Sequence, residues 1–262
     1  MAQQEIRKMT AGRGWTWVKQ GFQLLMRNPL LSISAAMLSV LTVIVALIVP
    51  VFGPLVAMAL MPIMLAGYMR ICRALEENEK IVPSLLLEGF KRNTAGLIAL
   101  GAFLLLGMLF ASTVMATVGG APFAEMMEKM HSTEDAQLLM QAISAGDSRV
   151  SLAVLLGLTV MLLIVVAWQY APILVFFHGV SPWFALRASF AGTLRNVIPY
   201  TVYSLIMQGI TMVLGILPWG VGMLLLLPLG LTSLYVSYRN IFPWLDAPEA
   251  QPASTENDSE DA

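Results

Sequence analysis

Charged residues are scarce in this chain. They make up 12% of its 262 residues, whereas hydrophobic residues make up 58%. Soluble domains are closer to a quarter charged and half apolar. In water, a chain of this composition would leave large apolar patches exposed. The composition therefore predicts an integral membrane protein.

Metal ligands and an excess of one charge are also lacking. The single cysteine, Cys72, excludes an intrachain disulfide, and one cysteine with two histidines is too few for a closed zinc site. The net charge of −1 gives no overall basic field that would favour nucleic acid. The sequence contains neither a Walker motif nor a dinucleotide-binding glycine fingerprint. We therefore expect no metal, no cofactor and no nucleic-acid partner.

Long apolar runs dominate what is present. A membrane span needs about twenty apolar residues. Six runs approach or exceed that length: 30–50, 53–73, 95–118, 150–177, 197–217 and 219–241. The first run is longer than the apolar region of a cleavable signal peptide, and no small-x-small cleavage site follows it. The runs predict an all-α integral membrane protein with six transmembrane helices.

The flanking charges predict the orientation. Of the fifteen Lys and Arg residues, thirteen lie on one side of the six predicted spans and two, Lys129 and Arg149, on the other. The positive-inside rule then places both termini in the cytoplasm. The predicted organisation is a cytoplasmic terminus with an interfacial helix, a membrane domain and an acidic tail that we expect to be disordered. These three regions are 1–29, 30–245 and 246–262, with an extracytoplasmic loop at 119–149.

Two distant segments repeat one pattern. "GWTWVKQGFQLLMRNP" (14–29) aligns with "PWFALRASFAGTLRNV" (182–197) at an offset of 168, and Pro62 aligns with Pro228 when the second hairpin turn is shortened by two residues. So many matches at one offset indicate internal duplication into parallel repeats, each an interfacial helix followed by a two-span hairpin. The segment 82–93 shares part of the pattern, so a third copy between 82 and 180 stays open.

Both segments have the spacing of amphipathic helices. Trp15, Val18, Phe22 and Met26 are spaced 3, 4 and 4, as are their counterparts at 183, 186, 190 and 194. Such helices are expected at 14–29, 82–93 and 182–196, with their aromatic faces in the membrane interface and basic residues at the anionic inner leaflet. The predicted anchors and headgroup contacts are Trp15, Lys19, Phe22, Arg27, Asn28, Trp183, Arg187, Phe190, Arg195 and Asn196.

The Arg-Asn pair at the end of each repeated helix allows two interpretations. In the first interpretation, each pair, Arg27-Asn28 and Arg195-Asn196, binds the phosphate of a lipid headgroup. In the other, each arginine interacts with the helix C-terminus while the asparagine permits a sharp turn into the span. The second interpretation is favoured because it needs no ligand.

Ionisable groups are missing from the interior of the predicted spans. No Asp, Glu, Lys or His lies deep inside any of the six. This argues against an ion-coupled transporter, which usually needs buried acids or histidines, and against an intramembrane hydrolase. We expect no enzyme activity. Gln169, Tyr170, Tyr203 and Gln208 are predicted to be buried and to form hydrogen bonds between helices.

The segment 119–149 contains the densest group of soft ligands. Glu128-x-x-His131 is half of a di-iron signature without its partner motif. Met126, Met127, Met130 and His131 form a cluster of a kind that binds Cu(I). Eighteen methionines are spread along the chain, so such a cluster is expected by chance. We predict a short amphipathic cap here rather than a metal site.

The whole pattern resembles an uncharacterised family of bacterial six-span inner-membrane proteins. The resemblance rests on "GRGWTWVKQGFQLLMRNP", "LMPIMLAGYMRICRALE" (60–76), "VSPWFALRASFAGTLRN" (180–196) and the final "YVSYRN". More distantly, the chain is similar to the membrane domains that precede some glycerophosphodiester phosphodiesterases. The resemblance implies a bacterial inner-membrane location and carries over no catalytic residue.

These observations favour a non-enzymatic inner-membrane protein. Its predicted role is to organise lipid or a partner membrane protein through a bundle anchored by interfacial helices. The alternative is a permease or lipid-handling transporter without ion coupling in this chain. The expected partners are lipids of the anionic inner leaflet and either another membrane protein or a second copy of the chain.

Overall fold

The computed structural model describes residues 6–132, 148–216 and 221–243. Within these ranges the regular structure is entirely helical. Its elements are α1 (Arg13–Arg27), α2 (Pro29–Leu47), α3 (Gly53–Glu77), a 3₁₀ helix (Pro83–Phe90), α4 (Thr94–Ser132), α5 (Ser148–Trp168), α6 (Ala171–His178), α7 (Pro182–Arg195), α8 (Val197–Gly215) and α9 (Val221–Ile241).

Five segments have the length and hydropathy needed to cross a membrane. They are Pro29–Leu47, Gly53–Glu77, Thr94–Glu128, Ser148–His178 and Val197–Gly215. Each coincides with a run predicted from the sequence, which supports the prediction of a helical multi-pass membrane protein. The last helix, α9, is not among the five, so a sixth span stays a prediction.

The predicted span at 150–177 is not one continuous helix. α5 ends at Trp168 and α6 begins at Ala171, with Gln169 and Tyr170 in a turn between them. Pro172 explains the new helix start, because a proline has no N–H to donate and is tolerated in the first turn of a helix. The sequence analysis missed this interruption because the apolar composition continues across it.

The predicted interfacial segment at 82–93 differs from expectation in its helix type. The segment at 82–93 forms a 3₁₀ helix, Pro83–Phe90, rather than an α-helix. In the loop predicted at 119–149, the helical region Thr94–Ser132 is broken by a kink at Gly120, whose φ of 57° lies in the left-handed region that favours glycine, and a second helical stretch follows to Ser132. The rest of the predicted loop, 133–147, and the acidic tail at 246–262 lie outside the described residues.

The three short amphipathic elements pack against different spans. α1 lies across α8 and α9, the 3₁₀ helix packs on α3, and α7 packs on α5 and α6. Gly14 and Gly21 permit the close approach of α1: an added Cβ at Gly14 would lie 2.7 Å from the Tyr203 amide nitrogen, and one at Gly21 would lie 2.8 Å from the Cα of Ser233. These elements are therefore part of the packed bundle.

Ion pairs gather at one end of the bundle, which we call the charged end. The Arg70 guanidinium lies 2.6 Å from the Glu79 carboxylate and 3.2 Å from that of Glu88, joining α3 to the 3₁₀ helix. Arg239 of α9 pairs with Glu76 of α3. The hydrogen bond from Arg70 lowers the pKa of the Glu79 carboxyl from its ordinary value. The C-termini of α3 and α9 thus meet at the charged end.

Candidate functional site

A cavity of about 640 Å³ lies among α2, α3, α5, α8 and α9. Its wall is mainly apolar and is formed by side chains such as Val43, Met64, Leu227 and Leu231. Ligand pockets in proteins commonly measure 300–1,000 Å³ and combine an apolar wall with a few placed polar groups. We therefore treat this space as the candidate site and refer to it as the membrane cavity.

The membrane cavity extends through about half of a bilayer. Leu226 and Ser237, both of α9, line it. Their separation of eleven residues corresponds to about 16 Å at 1.5 Å per helical residue. The hydrocarbon core of a bilayer is about 30 Å thick. If α9 stands near the bilayer normal, the cavity has the depth of one leaflet.

Aromatic rings close the end of the membrane cavity that lies toward the charged end. Trp17 of α1 is fully buried, and its ring meets Tyr200 and Tyr203 edge to face, with centroid distances of 5.3 and 6.4 Å. Among the described residues, Trp17 Nε1 has no hydrogen-bond partner and almost no accessible surface. A buried unpaired N–H costs about 1–3 kcal/mol. Packing of the indole ring must therefore offset this cost.

Gln169 provides a polar group at the same end of the membrane cavity. It lies in the turn between α5 and α6, and its Nε2 donates to Thr193 Oγ1 at 2.6 Å and to the Tyr200 hydroxyl at 3.2 Å. Both amide hydrogens therefore have acceptors. Among the described residues, no donor hydrogen-bonds to Oε1. This oxygen is available to a ligand that carries a donor, such as a hydroxyl or an amide.

Ser189 of α7 holds the turn that presents Gln169. Its Oγ donates to the Val166 carbonyl at 3.0 Å and accepts from the Tyr170 amide at 3.1 Å. The Tyr170 hydroxyl in turn hydrogen-bonds with Ser237 Oγ at 2.7 Å. The turn is therefore connected to both α7 and α9, which restricts the position of Gln169.

The predicted aromatic anchors lie on the surface of the protein. Trp15, Phe22 and Trp183 are 56%, 51% and 67% exposed, while Phe190 is half-buried. The predicted basic anchors Lys19 and Arg187 are exposed as well. These positions are compatible with contact to lipid. Their role as anchors stays a prediction.

The buried face of α1 is not the face predicted from the spacing. Val18 is only 4% exposed and packs inward with Trp17, Leu24 and Leu25, whereas Trp15 points away from the bundle. The prediction was wrong for Val18 because it treated α1 as a free interfacial helix. The packing of Gly14 and Gly21 on α8 and α9 fixes the inward side instead. Leu186 is buried in the same way on α7.

The Arg27-Asn28 pair has partners within the protein. Arg27 Nη1 donates to the carbonyl oxygens of Leu75 at 2.7 Å and Glu76 at 3.0 Å, in the last turns of α3. Asn28 caps α2 by accepting a hydrogen bond from the Leu31 amide at 3.2 Å. The arginine thus satisfies helix C-terminal carbonyls, as the favoured interpretation requires, although they belong to α3 rather than α1.

The Arg195-Asn196 pair binds the N-terminal segment instead. Asn196 is fully buried; its Oδ1 accepts from the Met9 amide at 2.7 Å, and its Nδ2 donates to the carbonyls of Arg7 at 3.0 Å and Gly192 at 2.8 Å. Arg195 contributes a longer bond of 3.5 Å to the Ile6 carbonyl. The two asparagines therefore have different structural roles.

Two further predictions concern the burial of Gln208 and a metal site. Gln208 is exposed on the outer surface of α8 rather than buried, because α8 packs on α1 and α9 through its opposite side. The described residues contain no group of three or more His, Cys, Asp or Glu placed to hold a metal ion. The side chains of Met130 and His131 lie outside the described residues, so the copper alternative is not tested.

Trp17 was missed as a cavity residue by the sequence analysis. It lies two positions after Trp15 and aligns with Ala185 in the second segment. The alignment drew attention to the shared Trp15 and Trp183, which are exposed. A tryptophan present in only one of the two segments indicated that this helix has different packing partners.

Comparisons with known proteins agree with a membrane location. A protein of Burkholderia thailandensis, named a probable inner membrane protein, is 25% identical over 206 residues, which cover 77% of this chain and 74% of the relative. No family model matches the chain, and no solved structure matches it significantly. The relative's name and the apolar helices together support an inner-membrane location.

Proposed function

We propose that this protein is a non-enzymatic inner-membrane protein that organises lipid by holding one acyl chain in the membrane cavity. The observation that carries the proposal is the shape of the cavity: about 640 Å³, mainly apolar, about 16 Å long between Leu226 and Ser237 at 1.5 Å per helical residue, and polar at the end nearest the charged end. An acyl chain would lie along the apolar wall, and the glycerol and headgroup region would lie near Gln169 and Tyr203.

Polar contacts would provide most of the selectivity of this site. An acyl chain that leaves the bilayer for the membrane cavity gains little hydrophobic free energy, because the surrounding lipid tails are equally apolar. Gln169 Oε1, with no partner among the described residues, would accept a hydrogen bond from a hydroxyl or amide of the lipid. The preferred ligand is therefore a lipid with a donor group close to its acyl chains.

We further propose six spans with both termini in the cytoplasm, built from three repeats. The burial pattern supports three copies, because the same three positions are buried in each amphipathic element. These are Trp17, Val18 and Gly21 in α1, Leu85, Leu86 and Gly89 in the 3₁₀ helix, and Ala185, Leu186 and Ser189 in α7. Each element packs on the spans of another copy, which is a ring-like arrangement.

In this arrangement the exposed residues of α1 and α7 act as anchors at the inner leaflet. Trp15 and Trp183 are exposed at aligned positions, and so are Lys19 and Arg187. Aromatic side chains favour the headgroup region, and each basic residue near an anionic surface contributes about 1 kcal/mol. The anchors would fix the depth of the bundle, so that the polar end of the membrane cavity lies at the level of the lipid glycerol groups.

Filling the membrane cavity tests the proposed function. Gly230 lines the cavity, and a Cβ there would have no heavy atom within 4 Å, so Gly230→Leu adds volume without a clash at that carbon. Ala102→Leu on the exposed surface of α4 is the control, because Ala102 does not line the cavity and lies outside α8.

The measurement is the amount of phospholipid that remains bound after purification in detergent, by mass spectrometry of the intact protein. We expect one tightly bound lipid on the native chain and on Ala102→Leu, and far less bound lipid on Gly230→Leu. Equal lipid retention by both variants, with both folded, would contradict the proposal.

The transporter alternative is supported by one feature of the cavity. The membrane cavity is partly open rather than enclosed, which would allow a lipid to enter and leave. Movement of fluorescent lipid between leaflets of proteoliposomes, abolished by Gly230→Leu, would favour this alternative. The distant resemblance to membrane domains of glycerophosphodiester phosphodiesterases stays an expectation and supplies no residue to either function.

A further inference from the structure

Gln208 lies near the middle of a membrane span with its side chain outward. It is the twelfth residue of Val197–Gly215, about 16 Å from the first residue along the helix axis. That distance is about half of the ~30 Å hydrocarbon core. Its side chain is exposed and has no hydrogen-bond partner in the parts of the chain that the structure describes. In a single copy of the protein, this amide would face lipid tails.

Several other polar side chains on exposed helix surfaces are satisfied within their own helix. Thr113 Oγ1 donates to the Leu109 carbonyl at 2.8 Å, and Thr159 Oγ1 donates to that of Leu155 at 2.7 Å. Gln208 has no such bond. A polar amide buried in an apolar environment without a hydrogen bond is costly, and membrane helices compensate by associating through such groups. Unlike Thr201 and Thr211 of the same helix, Gln208 therefore needs an external partner.

The surface around Gln208 is the least covered among the five candidate spans. Only 6% of the span window of α8 is buried, against 22% to 56% in the other four. Ser204 and Gly209 are exposed beside Gln208, and a Cβ at Gly209 would have no heavy atom within 4 Å. Small residues of this kind allow a second helix to approach closely.

We propose that a second copy of this chain covers this surface, with α8 packed against α8 around a two-fold axis. A two-fold interface places the same residue of both copies opposite each other. An amide has both a donor and an acceptor, so two Gln208 side chains satisfy each other with reciprocal hydrogen bonds. Lipid tails offer neither group. The inference is independent of the membrane cavity, because Gln208 does not line it.

Cysteine crosslinking in native membranes tests the proposed dimer. The single natural cysteine, Cys72, is fully buried and will not interfere. Gln208→Cys is expected to form a disulfide-linked species of twice the chain mass upon mild oxidation. Thr159→Cys, on the lipid-facing surface of α5, is the matched control and should stay monomeric. A monomer in both variants, or a crosslink from position 208 to a protein of another mass, would overturn the proposal.

A second measurement does not depend on the introduced thiol. Energy transfer between labelled copies in liposomes gives the dissociation constant of the dimer. We expect this constant to be about 3- to 30-fold larger for Gln208→Leu than for the natural chain. Thr159→Leu should leave the dissociation constant unchanged, because Thr159 already bonds within its own helix. Equal dissociation constants for the natural chain and Gln208→Leu would also contradict the inference. Lipid retention by the membrane cavity is measured separately, so the two proposals fail independently.

Discussion

α1 and α7 have similar sequences and different neighbours. Both expose a tryptophan at the aligned positions Trp15 and Trp183. α1 crosses α8 and α9, whereas α7 packs on α5 and α6. The difference follows from positions that the two segments do not share: Trp17 fills the space at α8, and Ala185 occupies the aligned position in α7. The shared residues thus define an exposed face, and the unshared residues select the partner.

The helix ends show the same contrast. The Asn28 side chain is exposed and caps the next helix, α2, through one hydrogen bond. Asn196 is buried and forms three hydrogen bonds, two of them to the N-terminal segment. The asparagine of an identical Arg-Asn pair therefore contributes less in the first copy than in the second, because the number of its partners differs.

Among the replacements in α1 and α7, that of Trp17 is expected to cause the largest loss of stability. Trp17→Ala removes a fully buried ring from the contact with Tyr200 and Tyr203 and should destabilise the protein by about 3–5 kcal/mol. Trp183→Ala, at an exposed position of α7, should change stability little. Thermal unfolding in detergent can be followed with a thiol-reactive dye, because Cys72 is buried in the folded protein. Similar melting temperatures for the two variants would argue against a core role for Trp17.

Replacement of the two asparagines should have unequal effects. Asn196→Ala leaves the Met9 amide and the carbonyls of Arg7 and Gly192 without this partner, with a cost of about 1–3 kcal/mol or more. Asn28→Ala removes a helix cap and should cost about 1 kcal/mol. Limited trypsin cleavage after Arg7 and Lys8 is the specific measurement. It should accelerate in Asn196→Ala only, and equal rates would refute the role assigned to Asn196.

Replacement of the two arginines should have the smallest effects on stability. The loss should be larger in the first copy than in the second, the reverse of the order expected for the asparagines. Arg27→Ala removes bonds of 2.7 and 3.0 Å to the C-terminal carbonyls of α3 and should cost about 0.3–1 kcal/mol. Arg195→Ala removes one bond of 3.5 Å and should be nearly neutral. The melting temperatures of both variants provide the test. If Arg195→Ala were the more harmful, the structural role of Arg27 at α3 would be in doubt.

Parts of the fold could be predicted because hydropathy is a local property. The apolar run beginning at Leu30 and the helix Pro29–Leu47 nearly coincide, since any segment of that composition avoids water in the same way. The interruption at Gln169 and Tyr170 was not predicted. Pro172 marked it, but a proline inside an apolar run is equally compatible with a continuous kinked helix, as at Pro62 in α3.

The candidate site was less predictable than the spans. For Arg27 and Asn28 the sequence left a headgroup site open and favoured a role at a helix end, and both residues have partners within the protein. The membrane cavity combines Trp17, Gln169 and Leu227 from α1, the α5–α6 turn and α9. Residues so far apart in the chain carry no shared local pattern, so no periodicity or motif brings them together before the helices pack.

By itself, the sequence determined that this is a helical membrane protein, where five candidate spans lie, and that one amphipathic pattern occurs twice. These properties depend on composition and spacing within a few turns of chain. Only the tertiary structure decided that Val18 is buried, that Gln208 is exposed, and that a cavity forms beside Trp17. A helix has several sides able to pack, and contacts with distant helices determine which of them is buried.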